Sequence, residues 1–574
     1  MRKTLIIIIS IFLLIVAGVF AYSLWLSHHY KSIIMARLPE AVLKSTDSVY
    51  HISFSDITVS LAGHTVTLTD VHLWPDMKQV KALKAAGRIV PPTLSTLSIP
   101  SLEANGIVWR DLVDKHSVDC GHVTVHNLKW LLSCRPDPNA ATAIHDKKKT
   151  PTITRVTAAK VDFDNPDVTY DYTGPKTHFS CHMNGGSAML NNFVYNYDEH
   201  IDTSVFLYAR SGKLRFKSFQ LNKPNGHYHI NSPLLDFEST DNSVTLKSVH
   251  IKNMTDNDPT TGKEKEFYNF TFPKVELVGL NWNQLVNDGE LLIPTVNATE
   301  PFIDIHFIRA NENKNASAMG SYPNQLLLQV GLQTDLRVVN MTKAHFRYTE
   351  VTPKGEEGTI DFSDIKAKFS NITNMPGLIA QNKSCLIDLD GKYMGKTSVV
   401  AKFDLALNNK KGAFTVDGNI GSLTGDEVNE QAQAFTIVKV TSFHLSKMDM
   451  HIAGDESFSS GKFTVFYDGL KISLFKFDSK QRKGKHGPFA FVGSTLLLYP
   501  DNPMPGKEVR SVNTSFARDT TKGFAGELWQ NIYRGVKKTA VRERGIITLT
   551  DGPETSKGEQ PKKGFFKRVF GKKK

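Results

Sequence analysis

Two short segments carry residues of the types that bind metal ions. His178 and His182, in the sequence HFSCH, have the separation of a metal-binding pair, but two further ligands at a recognisable spacing are absent. The run 256–258 opens like a calcium-binding loop, yet Thr261 stands where such a loop needs a glycine, and the closing glutamate is missing. We therefore predict scattered surface or strand histidines and no metal site.

A third segment, Gly395-Lys396-Thr397, carries the GKT ending of a phosphate-binding P-loop. The first loop glycine would have to stand at position 390, which is Asp390, and the following SVVAKFDLAL alternates like a strand where a P-loop needs a helix. The sequence also lacks the nucleophile motif GxSxG and the zinc motif HExxH. It therefore predicts a protein that is not an enzyme, with no catalytic residue, no cofactor and no metal.

The four cysteines are Cys120, Cys134, Cys181 and Cys385, too few for a scaffold built on disulfides. No two of them have the CxxC spacing of a redox motif or a structural zinc site. Two interpretations stay open for Cys120 and Cys134, namely a bridge across neighbouring strands or free, buried thiols.

The chain has 574 residues, 40% of them hydrophobic, and a formal net charge of +12. Seven of the basic residues lie in the last fourteen, 561–574, which hold no acid, so the rest of the chain carries a net charge of +5. A mildly basic body argues against a nucleic-acid partner. The tail combines cations with an aromatic wedge, which suits an anionic membrane surface, although a solvated end would look similar. The predicted contact residues are Lys562, Lys563, Phe565, Phe566, Lys567, Arg568, Phe570, Lys572, Lys573 and Lys574.

The N-terminal run 5–26 has no charged side chain. As a helix it would span about 33 Å, enough to cross a hydrocarbon core of about 30 Å. A cleaved signal peptide is the alternative, because Val19-Phe20-Ala21 resembles a peptidase site. We favour a retained anchor, since the run continues through aromatic residues at its far end, and Arg2 and Lys3 then place the N-terminus in the cytoplasm. The predicted anchor residues are Leu5, Ile9, Leu14, Phe20, Trp25 and Leu26.

After a short amphipathic helix over 27–48, which Pro39 kinks, the hydrophobic period changes to two. In ISFSDITVSLAGHTVTLTDVHL, apolar residues alternate on both sides of Ala62-Gly63-His64, which predicts a hairpin with bulges. The same alternation recurs as far as residue 515, so a layered α/β fold is not expected.

The strand pattern is also repeated in tandem. The segments IPSLEANGIVWRDLVD and FPKVELVGLNWNQLVN align without a gap at an offset of 173, with six identities in sixteen positions. Upstream, Tyr50-His51-Ile52 matches Tyr228-His229-Ile230, and VTLTDVHL from Val66 matches VTLKSVHI from Val244, both at an offset of 178. A large β unit therefore occurs at least twice, as in bodies that grow by adding similar rungs.

Amphipathic strands without covering helices must bury their apolar face against a second sheet or against something outside the chain. A string of β-sandwiches would satisfy this requirement, and so would one long sheet curled into a groove. About 30 strands in one sheet would extend on the order of 150 Å. We predict the curled antiparallel sheet, a groove or half-pipe built from tandem β units.

Residues 524–541 show an apolar repeat of four that predicts a C-terminal amphipathic helix. Its expected apolar side, for capping the open end of the sheet or for contacting a membrane, includes Phe524, Leu528, Trp529, Ile532, Tyr533 and Val536. Glu527, Gln530, Arg534 and Lys538 are expected on the other side. Three glycines lower the stability of the isolated helix, which favours a helix that packs against the sheet.

This layout resembles the AsmA-like proteins of Gram-negative envelopes, in particular those of Bacteroidetes type. The resemblance rests on the N-terminal membrane segment, the hairpin ITVSLAGHTVTLTDVHL and the tandem units. At the C-terminal end it rests on MDMHIAGDESFSSGKFTVFYDGLKISLF, FVGSTLLLYPDNP and SFARDTTKGFAGELWQNIYRGVKKTAV. It implies a periplasmic, groove-shaped β body related to bridge-like lipid-transfer proteins and tethered to the inner membrane.

We therefore expect a cytoplasmic N-terminus (1–4), a transmembrane helix (5–26), a connecting helix (27–48), a first β unit (49–225), a second β unit (226–435), a C-terminal β region (436–515), a capping helix (516–545) and a flexible basic tail (546–574). The expected function is to bind or transfer phospholipid, or another acyl-chain lipid, between inner and outer membranes, in support of outer-membrane homeostasis. A periplasmic or outer-membrane protein is the expected partner at the C-terminal end. The alternative is a membrane-tethered scaffold, not an enzyme, that affects outer-membrane protein assembly.

Overall fold

A computed structural model describes most of the β body and the helix that follows it. The described residues are 39–40, 42–43, 46–60, 63–88, 90, 92–108, 117–136, 155–174, 177–196, 206–222, 228–253, 266–308, 317–351, 357–429, 438–474 and 498–542. The predicted transmembrane anchor and the predicted basic tail lie outside these residues. Within them, no helix is long and apolar enough to cross a membrane.

The described residues form mainly β structure, as the alternating sequence predicts. The strands are β1 Tyr50–Ser53, β2 Asp56–Ser60, β3 Thr65–Pro75, β4 Thr93–Asn105, β5 Ser117–His126, β6 Lys129–Cys134, β7 Arg155–Asp164, β8 Asp167–Thr173, β9 His178–Asn196, β10 Ala209–Asn222, β11 Tyr228–Ser232, β12 Leu234–Glu238, β13 Ser243–Asn253, β14 Glu266–Val278, β15 Glu290–Thr299, β16 Phe302–Ile308, β17 Gln333–Val351, β18 Glu357–Thr373, β19 Ser384–Tyr393, β20 Thr397–Ala406, β21 Phe414–Ile420, β22 Leu423–Thr424, β23 Val438–Gly454, β24 Phe458–Leu474 and β25 Ser511–Ala517. The helices are α1 Met77–Ala85, α2 Trp282–Asn287, α3 Pro323–Gln329, α4 Pro376–Gln381 and α5 Phe524–Ala540, with a 3-10 turn at Phe206–Tyr208.

All 25 strands belong to one large curved sheet. Six pairs of consecutive strands lie end to end and share a row, namely β1 with β2, β5 with β6, β7 with β8, β11 with β12, β15 with β16 and β21 with β22. The rows follow one another in chain order. Nineteen rows have eighteen spacings of about 4.8 Å, so the sheet measures about 85 Å across its strands, less than the roughly 150 Å expected for thirty strands.

The sheet is mixed, so the prediction of a purely antiparallel sheet is wrong. Four strand pairs are parallel, β5 with β7, β6 with β8, β15 with β17 and β16 with β17. The four parallel pairs have the same cause. After the end-to-end pair β5–β6, and again after β15–β16, the chain returns to the starting edge of the sheet, so the next row runs in the same direction as the pair before it.

The tandem similarity in the sequence corresponds to matching registers in the sheet. Val66 faces Ala104 in the first unit, and Val244 faces Leu277 in the second, at the offsets of 178 and 173. Asp70 and Ser248 stand 178 residues apart and both adopt positive φ, 50° and 49°, at an irregularity in their strands. Gly106 and Gly279 both have positive φ after equivalent strands. The predicted boundary between the units falls in residues 223–227, outside the described residues.

Buried apolar residues form two large clusters and one small cluster. The N-terminal cluster extends from Val42 to Ile293, and the C-terminal cluster from Tyr322 to Tyr467. Between them lies a small group made of Ala344, Ile365 and Ala367. The middle of the sheet is therefore less thickly covered than either end.

Candidate functional site

An unbroken line of apolar side chains runs across the sheet, one from each row. In an antiparallel or parallel pair, residues that face each other project from the same side, with Cβ atoms about 5 Å apart. Following these partners from β2 to β25 gives the apolar row: Ile57, Leu68, Leu102, Val125, Phe163, Ala188, Leu214, Phe237, Val244, Leu277, Val296, Val339, Phe369, Ile387, Phe403, Val416, Ile452, Gly461 and Thr514. Every member is apolar until Gly461 and Thr514, in the last two rows.

The neighbouring line of facing residues projects from the other side and contains no apolar residue. This polar row is Asp56, Thr69, Ser101, His126, Asp164, Ser187, Arg215, Asp236, Thr245, Glu276, Asn297, Asn340, Lys368, Asp388, Lys402, Asp417, His451, Lys462 and Asn513. Opposite charges meet in it, as where Arg215 Nε donates to Asp236 at 2.6 Å. The two faces of the sheet therefore differ in polarity along its whole length.

The apolar row is covered at its ends and half-exposed in the middle. Leu68 and Ile452 are fully buried, at 1% and 0% exposure. By contrast Leu277, Phe369 and Ile387 are only partly buried. A second line of facing residues runs beside the row on the same side and is also apolar, through Leu246, Val275, Ala298, Met341, Ala367 and Leu389. The apolar surface is thus more than one side chain wide.

Short insertions cover the apolar side near the N-terminal cluster. The ring of Trp282, in α2, lies 4.8 Å from that of Phe237 and 6.1 Å from that of Phe206. The hydroxyl of Tyr170 donates to the carbonyl of Leu285 at 3.2 Å. Helix α2 is fixed at its start by Asn281, whose side chain accepts from the Gln284 amide at 3.1 Å.

Helix α5 covers the other end, where it packs on β24 and β25. It presents an unexpected face to the sheet, because its buried residues are Glu527, Asn531, Gly535, Thr539 and Ala540. The prediction that Glu527 lies on the outer side of the helix is therefore wrong, since its exposure is 0%. Small and polar groups of the sheet select this face, as where the side-chain amide of Asn531 donates to Ser459 Oγ at 2.6 Å.

The six residues predicted for the apolar side of α5 separate into two groups. Phe524, Leu528 and Ile532 pack against the C-terminal cluster. The other three point outward: Trp529 is 54% exposed, Tyr533 42% and Val536 37%.

A buried polar group lies beneath the start of α5. Arg518 Nη1 lies 3.5 Å from Glu456 Oε1, and its guanidinium stacks over the Tyr322 ring at 4.2 Å. Both carboxyl oxygens of Glu527 are buried and lack a hydrogen bond of regular geometry, and the side chain of Ser459 favours their ionised form. Burial raises the pKa of Glu527, and the positive charge of Arg518 opposes the shift only in part. The folded chain therefore keeps the proton of this carboxyl to a higher pH than the unfolded chain does.

The other residues singled out in the sequence lie outside the apolar row. His178 Nε2 lies 2.9 Å from Asp171 Oδ1, and His182 Nε2 lies 2.8 Å from Asp167 Oδ1, so both histidines make diagonal contacts across strands β8 and β9. No group of three or more metal-ligating side chains occurs in the part of the chain that the structure describes. Thr397 opens strand β20, as the rejection of a P-loop requires.

The cysteines are four free thiols, all buried. Burial raises the pKa of Cys120 to about 12 and that of Cys385 to about 11. Because the thiolate is the reactive form, these side chains behave as small apolar residues. The bridge considered between Cys120 and Cys134 is not formed.

A polar depression of about 470 Å³ on the other face was not foreseen from the sequence. His345 Nε2 lies 2.7 Å from Asp361 Oδ2, and Arg347 Nε lies 3.4 Å from the same oxygen. His306 adds a contact of 3.3 Å to Asp304. Only the register of β16, β17 and β18 brings these residues together, and no local motif signals it.

No protein-family model and no curated protein matches this chain. The description of its site therefore rests on the sheet itself. The chemistry that the apolar row offers is that of a surface for hydrocarbon, with polar groups kept on the opposite face.

Proposed function

We propose that this chain binds acyl-chain lipid along the apolar row and passes it from one membrane to another as an anchored protein of the bacterial envelope. The apolar row supports this proposal most directly, because it continues from β2 to β23 without a polar interruption. A protein that needs only a hydrophobic core can tolerate polar residues in such a row. A path for lipid cannot tolerate them, because a charged side chain in the row would block the passage of an acyl chain.

The physical basis is partition of hydrocarbon from water onto the inner side of a groove-shaped sheet. Each methylene that leaves water contributes about 0.8 kcal/mol, whichever row it rests on. Successive rows with similar side chains therefore offer sites of similar free energy, and a lipid can move between them without a deep trap. Such sites are offered by the rows whose apolar side chains are half-exposed, since Leu68 and Ile452 near the two ends are fully buried.

The middle of the sheet is the part where a lipid would make contact, because its apolar residues are only partly covered. Phe369 and Ile387 face each other there on β18 and β19. Their sequence neighbours Lys368 and Asp388 also face each other, on the opposite side. These two pairs of adjacent positions provide matched probes of the two faces.

The test places a photo-crosslinking phenylalanine analogue at Phe369 or Ile387 in the full-length protein, with Lys368 and Asp388 as controls. The protein is expressed in bacteria whose phospholipids carry radioactive phosphate, and it is then irradiated and purified under denaturing conditions. We expect radioactive adducts from Phe369 and Ile387 and none from the two controls. Adducts of equal intensity from both faces, or none from either, would overturn the proposal; a scaffold with a sealed interior predicts the second result.

A further inference from the structure

We propose that the outer face of α5 is a docking surface for an anionic lipid bilayer. This inference names the membrane contact of the lipid path proposed above, but it depends on a different set of residues. Helix α5 can bind a bilayer when no lipid occupies the apolar row, and the apolar row can bind lipid when α5 does not contact a bilayer. An experiment can therefore contradict one proposal without contradicting the other.

The first observation is the exposure of a continuous aromatic and aliphatic strip. Trp529, Tyr533 and Val536 are spaced by four and three residues, which places them on one side of the helix. Their exposures are 54%, 42% and 37%. Trp and Tyr are the side chains that favour the boundary between headgroups and hydrocarbon, because each has an apolar body and a polar group.

The second observation is that this orientation of α5 is fixed by the face that it buries. Asn531 accepts from Thr514 Oγ1 at 3.1 Å as well as donating to Ser459. Gly535 lies so close to Phe463 that a Cβ atom would come within 2.4 Å of its ring. The helix cannot turn its aromatic strip inward without losing these contacts, so the strip stays available to an outside partner.

The third observation is the charge of the helix. Residues 528–542 contain four basic side chains, Arg534, Lys537, Lys538 and Arg542, and no acid. The one acid within α5, Glu527, is buried. Lys537 stands beside the strip, with its ammonium 5.9 Å from the centre of the Tyr533 ring. The other three cations contact the sheet or the segment beside it, through Phe516, Asn513 and Leu498. A helix with an apolar strip, a positive charge and no exposed carboxylate has the composition of helices that lie on anionic membranes.

The fourth observation is the position of α5 in the molecule. It lies over β24 and β25, where the apolar row ends in Gly461 and Thr514. The last fourteen residues of the chain have a similar composition, with seven basic residues and the aromatic residues Phe565, Phe566 and Phe570. Charge and composition therefore favour a bilayer over a protein partner, which would need a surface of matching acids.

The test measures membrane contact at α5 itself, so that the N-terminal segment does not contribute to the signal. Val536→Cys is introduced into the full-length protein, which is labelled with an environment-sensitive fluorophore and held in nanodiscs of neutral phosphatidylcholine. The native thiols are buried, and protein without the new cysteine reports any labelling of them. The matched control is Lys462→Cys, which labels the polar row on β24 at the same end of the sheet.

Vesicles of phosphatidylcholine, with or without phosphatidylglycerol, are then added. We expect a several-fold rise in fluorescence from position 536 with the phosphatidylglycerol vesicles, quenching by spin-labelled lipid in them, and loss of the rise at high salt. Position 462 should not respond. A silent position 536, or an equal response to neutral vesicles, would overturn the proposal.

A second variant shows whether the strip is responsible. Trp529→Ser combined with Tyr533→Ser changes only exposed side chains, so α5 should stay folded and keep its contacts with the sheet. We expect this variant to lose the fluorescence response while Phe369 continues to crosslink lipid. An unchanged response in the variant would show that the strip is not the contact surface.

Discussion

At the scale of single residues, Glu527 is a fully buried carboxyl group whose oxygens lack a hydrogen bond of regular geometry. Its pKa is raised above the ordinary value of 4.5 by burial. The unfolded chain therefore releases this proton at a lower pH than the folded chain does. The contribution of Glu527 to stability is accordingly most favourable below about pH 4.5 and is lost as pH rises through the folded-state pKa.

Glu527→Gln should therefore stabilise the protein at pH 7, by about 1–3 kcal/mol, since the buried acid must take up a proton or bury its charge on folding and the uncharged amide need not. The difference between the two proteins should shrink at pH 4, where both side chains are neutral. Urea unfolding at the two pH values measures it. A less stable variant at pH 7 would show instead that the ionised form is held by Arg518, and Gln530→Glu is a control for charge at an accessible position of the same helix.

The apolar row shows why the candidate site could be foreseen only in part from single residues. Alternation in the sequence identifies Phe369 and Ile387 as apolar positions in strands, but which residues face each other depends on register. A shift of one residue moves every side chain of a strand to the other face, and the bulges between Met341 and Phe346 shift the register of β17 and β18. Local patterns do not specify these shifts.

At the scale of elements, α5 lies at Phe524–Ala540, within the segment expected to be helical. The periodicity predicted the apolar positions of the helix, but it did not predict that Glu527, Asn531 and Gly535 would face the sheet. The reason is physical: the last rows present Ser459, Gly461 and Thr514, which match small and polar side chains. The sequence of the helix alone carries no information about that surface.

Close packing should outweigh helix propensity at one glycine of α5 and not at another. Gly535→Ala would gain about 1 kcal/mol of propensity, yet its Cβ would meet the Phe463 ring at 2.4 Å, so we expect a net loss of about 1–3 kcal/mol. Gly526→Ala is the matched control, because its nearest neighbour is the Lys522 side chain at 3.1 Å. It should be neutral or stabilising. Urea unfolding compares the two variants, and equal stabilisation would mean that α5 does not pack as closely as described.

At the scale of the whole molecule, the apolar residues at the two ends of the sheet are buried in large clusters, whereas those in the middle are only partly buried. The alternating sequence correctly predicted mainly β structure, whereas the mixed sheet with its parallel pairs depends on where the chain crosses back between rows. Those crossings, after β6 and after β16, have no distinctive local sequence. These two crossings place the apolar faces of both β units on the same side of the sheet.

This uneven cover should appear in amide hydrogen exchange of the full-length protein. Backbone amides in β14 to β18 lie beneath half-exposed apolar residues such as Leu277 and Phe369, whereas those of β3 and β4 lie beneath the buried Leu68 and Leu102. Local opening needs less free energy where fewer apolar contacts are lost. We therefore expect β14 to β18 to exchange faster. Phosphatidylethanolamine supplied in mixed micelles should slow them selectively, relative to detergent micelles alone, because acyl chains would restore the missing cover. Uniform exchange across the sheet, or no response to phospholipid, would contradict an open apolar surface in the middle of the molecule.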